Sequence, residues 1–186
     1  MFAPRSAVVQ DARSFASLAR RVRLFGRKQG TEKPPPADVY TDLRRRILEL
    51  TPDFGDGALG EGPILALLME TGYREAVATL VAVADGTTSL YFSNGGGFIG
   101  AGTHATVAEA SVRWLETGRE FLPQLPPVTD TSLPAEGRTQ FLAVTRDGPR
   151  GSVAAEDDLG EGRHDLSPLF HAGHEVITQI RLTQGG

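Results

Sequence analysis

The chain predicts an α+β domain: an antiparallel sheet of about five strands with helices packed on it. Three observations carry that expectation. Residues 76–84, AVATLVAVA, form an almost unbroken apolar run rich in valine, two Asp-Gly pairs punctuate strand-like segments, and helical periodicity recurs before and between those segments. Strands that return through tight turns build antiparallel sheets, and helices outside the hairpins must pack on a sheet face.

From Tyr40 the spacing Tyr40, Leu43, Ile47, Leu50 marks one helical face, which ends before Pro52 because a residue preceding proline avoids the helical region. DFGDGALGEG reads as a loop. PILALLMETG (63–72) reads as a second short helix, with Pro63 in its first turn and Gly72 as its cap. The apolar run 76–84 reads as a strand buried on both faces, turning at Asp85-Gly86 into TTSLYFS. Val107, Ser111, Trp114, Leu115, Phe121, Leu122 and Leu125 mark a long helix ending near Pro123 or Pro126, with Thr103 or Thr106 as its cap. A proline-rich connection leads to the strand TQFLAVT, a turn at Asp147-Gly148 and a return near GSVAAE. HEVITQIRLT reads as a final strand, with Val176, Thr178, Ile180 and Leu182 facing one way and Ile177, Gln179 and Arg181 the other.

The domain so predicted spans residues 37–186. Residues 1–36 form a basic leader that ends in three consecutive prolines. Eight basic side chains against Asp11 and Glu32 give residues 1–33 a charge of +6, and the formal total of −4 leaves −10 on the other 153 residues. Phe15, Leu18, Val22 and Phe25 fall on one helical stripe with arginines around them, a pattern suited to an anionic membrane surface or a partner. A flexible basic tail, or a true start downstream at Val22, are the plainer readings. The acidic body repels phosphate backbones, which argues against nucleic-acid binding. Cysteine is absent, removing thiolate nucleophiles and cysteine-ligated metal, and a cytoplasmic location fits. Two lysines, Lys28 and Lys33, among nineteen basic residues fit a GC-rich bacterial genome.

Two segments carry the candidate chemistry. SNGGGFIGAGTH (93–104) satisfies GxGxxG at Gly95, Gly97 and Gly100, but it follows a hairpin strand rather than opening a βαβ unit, and the P-loop lysine is replaced by Ala101. The glycines are then expected to let a strand bulge or cross closely over another backbone. The competing expectation is a plain anion or small-ligand site at Gly95, Gly96, Gly97, Thr103 and His104, where main-chain N–H groups meet the start of a helix. The second segment, 156–175, holds six carboxylates and three histidines; His164, Asp165, His171, His174 and Glu175 are its candidate cluster. HAGHE is not HExxH, so no metal and no cofactor is expected. Ser167 with Asp165 supplies triad-like residue types without a nucleophile elbow.

The stretches DGTTSLYFSNGGGFIGAG and DDLGEGRHDLSPLFHAGHEVITQIRL resemble a family of bacterial hypothetical proteins, a resemblance that implies no activity, ligand or site residue. The element order helix, hairpin, helix, strands resembles roadblock and other profilin-like domains, which implies a dimeric adaptor. A small binding or protein-interaction module without enzymatic activity is the expectation, with a protein partner or self-association. The alternative is a hydrolase or metal-dependent enzyme joining His104 to the histidine- and acid-rich segment.

Overall fold

The computed structural model describes residues 36–51 and 62–183; the leader and its amphipathic stripe lie outside them. In chain order the elements are helix α1 (Pro36–Leu48), strands β1 (Ile64–Gly72), β2 (Val77–Val83), β3 (Thr88–Phe92) and β4 (Gly97–Phe98), then helix α2 (Ala105–Phe121). Strands β5 (Arg138–Thr145) and β6 (Gly148–Ala155), the short helix α3 (Glu156–Gly160) and helix α4 (Ser167–Leu182) complete the fold. The strands form one antiparallel sheet in the order β4-β3-β2-β1-β5-β6. The α+β class and antiparallel sheet follow as the sequence predicts. Among the described residues no helix is long and apolar enough to cross a membrane.

The sheet is a middle layer. On one face α2 and α4 cover Leu67, Met69, Leu80, Leu90, Phe92 and Phe141, with Trp114, Leu169, Phe170 and Ile177 filling the space between. On the other face α1 covers Leu65, Leu68, Val81, Val83, Leu142 and Val144 through Tyr40, Leu43 and Ile47. The period-2 alternation of strand side chains sends neighbours to opposite layers, so both faces of β1, β2 and β5 are apolar.

Two elements differ from the sequence reading. Residues 63–72 form no helix: Ile64–Gly72 is β1, a central strand buried along its whole length. Its leucines, methionine and glutamate favour helices locally, and burial on both faces erases the alternation that would have marked a strand. HEVITQIRLT is helix, not strand. Leu169, Phe170, Gly173, Val176, Ile177 and Ile180 are its buried positions, a three-and-four spacing that starts upstream of the alternating stretch. Pro168 sits in its first turn, where a missing N–H costs nothing.

The connection from Leu125 to Gly137 is bonded to the sheet near both of its ends. Gly151 N–H donates to Pro126 O at 2.9 Å and Val128 N–H to Pro149 O at 3.0 Å, so this segment covers half of edge strand β6. At its far end Gly137 N–H donates to Gly72 O at 2.9 Å, closing the segment against the end of β1.

The glycine segment resolves into a turn and a close crossing. Gly95 N–H donates to Phe92 O at 2.9 Å and Phe92 N–H to Gly96 O at 3.1 Å, which turns β3 into β4. Gly97 has a φ of 145° and pairs with Tyr91, where an added Cβ would lie 2.6 Å from Tyr91 Cα. Close backbone approach is therefore the reason for glycine at 97. Gly97→Ala should lower stability by more than about 1 kcal/mol, since the left-handed conformation and the contact both oppose a side chain. Gly96→Ala, at φ 85° but exposed, should cost about 1 kcal/mol. Thermal melts check both; two variants as stable as the parent would show that the segment is merely a flexible link.

Candidate functional site

Four main-chain N–H groups of the glycine segment are bonded within the chain. A phosphate or carboxylate cradle needs main-chain N–H groups aimed outward. Here Gly95 N–H goes to Phe92 O, Gly100 N–H to Ser89 Oγ at 3.2 Å, Thr103 N–H to Gly100 O at 3.3 Å and His104 N–H to Ala101 O at 3.1 Å. The Thr103 hydroxyl also donates to Gly100 O at 3.2 Å. His104 occupies the N-cap position of α2 with no side-chain cap bond, so neither Thr103 nor Thr106 is the cap the sequence suggested.

The histidine- and acid-rich segment is laid out along α4 and the turn before it. His164 Nδ1 accepts Leu166 N–H at 3.1 Å, and Ser167 Oγ accepts His164 N–H at 3.4 Å while donating to Asp158 O at 3.5 Å. His164 and Ser167 thus wrap the start of α4, each through a main-chain bond. Ser167 is buried, and His164 Nδ1 is engaged as the acceptor of the Leu166 N–H. Asp165 is exposed. His171 is exposed with its ring edge-on to Phe170, and His174 lies across the same ring at 4.2 Å between centroids. Glu175 accepts Gln179 Nε2–H at 2.8 Å one turn along. Among the described residues no three histidine, aspartate or glutamate side chains gather as a group that could hold a metal ion.

The densest buried chemistry lies elsewhere, beneath α1. Glu70, in the middle layer, is fully buried, and its two oxygens accept Arg44 Nε–H and Nη2–H at 2.7 Å each. The Thr79 hydroxyl donates to Glu70 Oε1 at 3.1 Å, and the Tyr40 and Thr79 hydroxyls share a bond of 2.8 Å. Arg44 Nη2 also donates to Thr131 O. Tyr91 stands edge-on to Tyr40, with ring centroids 5.5 Å apart. Register explains the gathering: Glu70 lies opposite Thr79 on β2 and Gln140 on β5, and Thr79 opposite Tyr91 on β3, so one polar row crosses four strands. The sequence signal for it was a lone glutamate inside the apolar run 64–72, which demands a partner once that run is a strand.

This cluster perturbs its members. Burial first, then the charge of Glu70, pushes the Tyr40 hydroxyl up to about 12 despite its bond to Thr79. Burial and the same carboxylate raise Tyr91 further. On the opposite side Tyr73 donates to Glu156 Oε1 at 3.2 Å; burial and the Glu156 charge raise the phenol, while burial raises Glu156 in spite of that hydrogen bond.

All three tyrosines of the chain are therefore raised above the ordinary value of about 10. A group whose folded pKa exceeds its unfolded one stabilises the fold below the unfolded value, and that contribution is lost as pH climbs through the folded value. Alkaline titration should accordingly show no phenolate absorbance step near pH 10, followed by ionisation together with loss of the circular dichroism signal at higher pH. Three independent steps near pH 10 in a chain that keeps its native dichroism would contradict the placement of these rings. No family model, no curated protein and no solved structure matches the chain.

Proposed function

We propose that the folded body is a small protein-interaction module of the adaptor kind, acting in the cytoplasm through its surface rather than on a substrate. The observation that supports this reading is the use made of its buried polar side chains. Glu70 is bonded to Arg44 and Thr79, Thr71 to Thr139 at 3.0 Å, Thr88 to Ser111 at 2.8 Å, and Ser167 to main chain. Each bond joins two elements of the fold, as expected of groups retained for architecture. Meanwhile Val112 on the outer side of α2 and Val153 on edge strand β6 remain 53% and 44% exposed, on rigid elements suited to contact. The succession of helix, strands, helix, strands and helix resembles that of the dimeric roadblock and profilin-like adaptors, an analogy of fold.

Light scattering of the full chain over a wide concentration range tests the reading. A dimer is expected, reduced to monomer by Val112→Asp or Val153→Asp without a lowered Tm. A metal that copurifies, or turnover of an ester or phosphoester panel, would overturn it if lost in His171→Ala or His174→Ala; either result would establish the hydrolase or metalloenzyme alternative.

A further inference from the structure

The two faces of the sheet are covered by different means. On the α2 and α4 side the cover buries Val107, Trp114, Leu169, Phe170, Val176 and Ile180 at 2% exposure or less. On the α1 side Leu43, Ile47 and Leu48 are only partly buried, and among the described residues of α1 Tyr40 alone joins the buried apolar core. Among the described residues, α1 is also tied to the sheet by polar groups: the Arg44–Glu70 fork at 2.7 Å per arm and the Tyr40–Thr79 bond at 2.8 Å. The same guanidinium reaches Thr131 O in the connection that runs between its two anchors, at β6 and at Gly72. Between those anchors Thr129, Asp130, Ser132 and Leu133 are exposed. Among the described residues no other side chain or main-chain group is bonded to residues 129–134 from outside that stretch.

We infer that α1 and residues 129–134 are one cover, latched by Arg44, which opens as a unit from the sheet while α2 and α4 stay docked. The physical basis is that partial opening is set by the contacts broken, so a helix with one buried apolar side chain among its described residues, three partly buried ones and the polar ties of Arg44 and Tyr40 opens at lower free energy than the core. Arg44 makes the two parts interdependent: when the guanidinium leaves Glu70 it also leaves Thr131, and when Thr131 moves away the fork loses a ligand that fixes its orientation. The inference concerns a motion of the chain alone and stands whether or not the adaptor reading does.

Native-state hydrogen exchange of the full chain in low urea, paired with cleavage before Asp130 by an aspartate-specific endoprotease, tests it. In the unaltered protein, α1 amides and the Asp130 cut should report the same opening free energy and the same urea dependence, both smaller than those of α2 and α4. Arg44→Lys keeps a cation beside Glu70 but cannot fork to both partners; it should raise α1 exchange and Asp130 cleavage together by about tenfold or more, with α2 and α4 unchanged. Exchange of α1 only through global unfolding, or cleavage at Asp130 that does not follow α1 exchange, would overturn the inference. Because the first comparison needs no substitution, a poorly folded variant does not decide it.

Discussion

A carboxylate with no exposure stands near the middle of this molecule, and the arrangement around it must neutralise that charge. Removing a carboxylate from water costs several kcal/mol, which only a close partner with further hydrogen bonds offsets. Arg44 supplies the partner in bidentate geometry, and Thr79 supplies the further bond. From this follow the rotation of α1 on the sheet, since Arg44 and Tyr40 must both face inward. The register of β1 against β2 also follows, since Thr79 must lie opposite Glu70. Burial of Arg44 opposes its charge, yet the bond and charge of Glu70 outweigh that effect and raise the guanidinium pKa.

The opposite face is built by shape. Gly118 and Gly173 let helices approach where a side chain would collide: an added Cβ would lie 2.8 Å from Leu67 Cδ2 and 2.9 Å from Met69 respectively. Trp114 fills the resulting seam and donates its indole N–H to Leu169 O at 3.2 Å, leaving no buried indole donor unmet. Apolar packing of this kind contributes stability in proportion to area and tolerates little volume change. On the α1 face the described part of the helix adds one buried apolar side chain, Tyr40, to its polar ties. That asymmetry is why the two layers are expected to differ in dynamics.

Much of this was legible in the sequence, and the exceptions share a cause. The hairpins at Asp85-Gly86 and Asp147-Gly148 and the faces of α1 and α2 follow from local turn chemistry and periodicity. Residues 63–72 and 174–183 differ from the sequence reading because local propensity and a short alternating stretch outvoted burial, which is set by tertiary neighbours. One clue lay unused beneath the local pattern: Glu70 in an apolar run calls for a cation, and Arg44 lies on a helix that also offers Tyr40. The candidate site residues were legible as residue types only. That His164 and Ser167 wrap a helix start, and that the N–H groups of Gly95 and Gly100 turn inward, depends on backbone geometry which no spacing reveals.

The claim that the Arg44–Glu70 pair organises the α1 face is tested most directly by a double-mutant cycle read by urea unfolding, with Arg44→Met, Glu70→Leu and their combination. Each single substitution should lose roughly 3–5 kcal/mol, because it leaves a buried charge or a buried fork without its partner, whereas the double variant should lie within about 2 kcal/mol of the parent. If the two losses simply add, the residues act independently and the pair does not hold this face together.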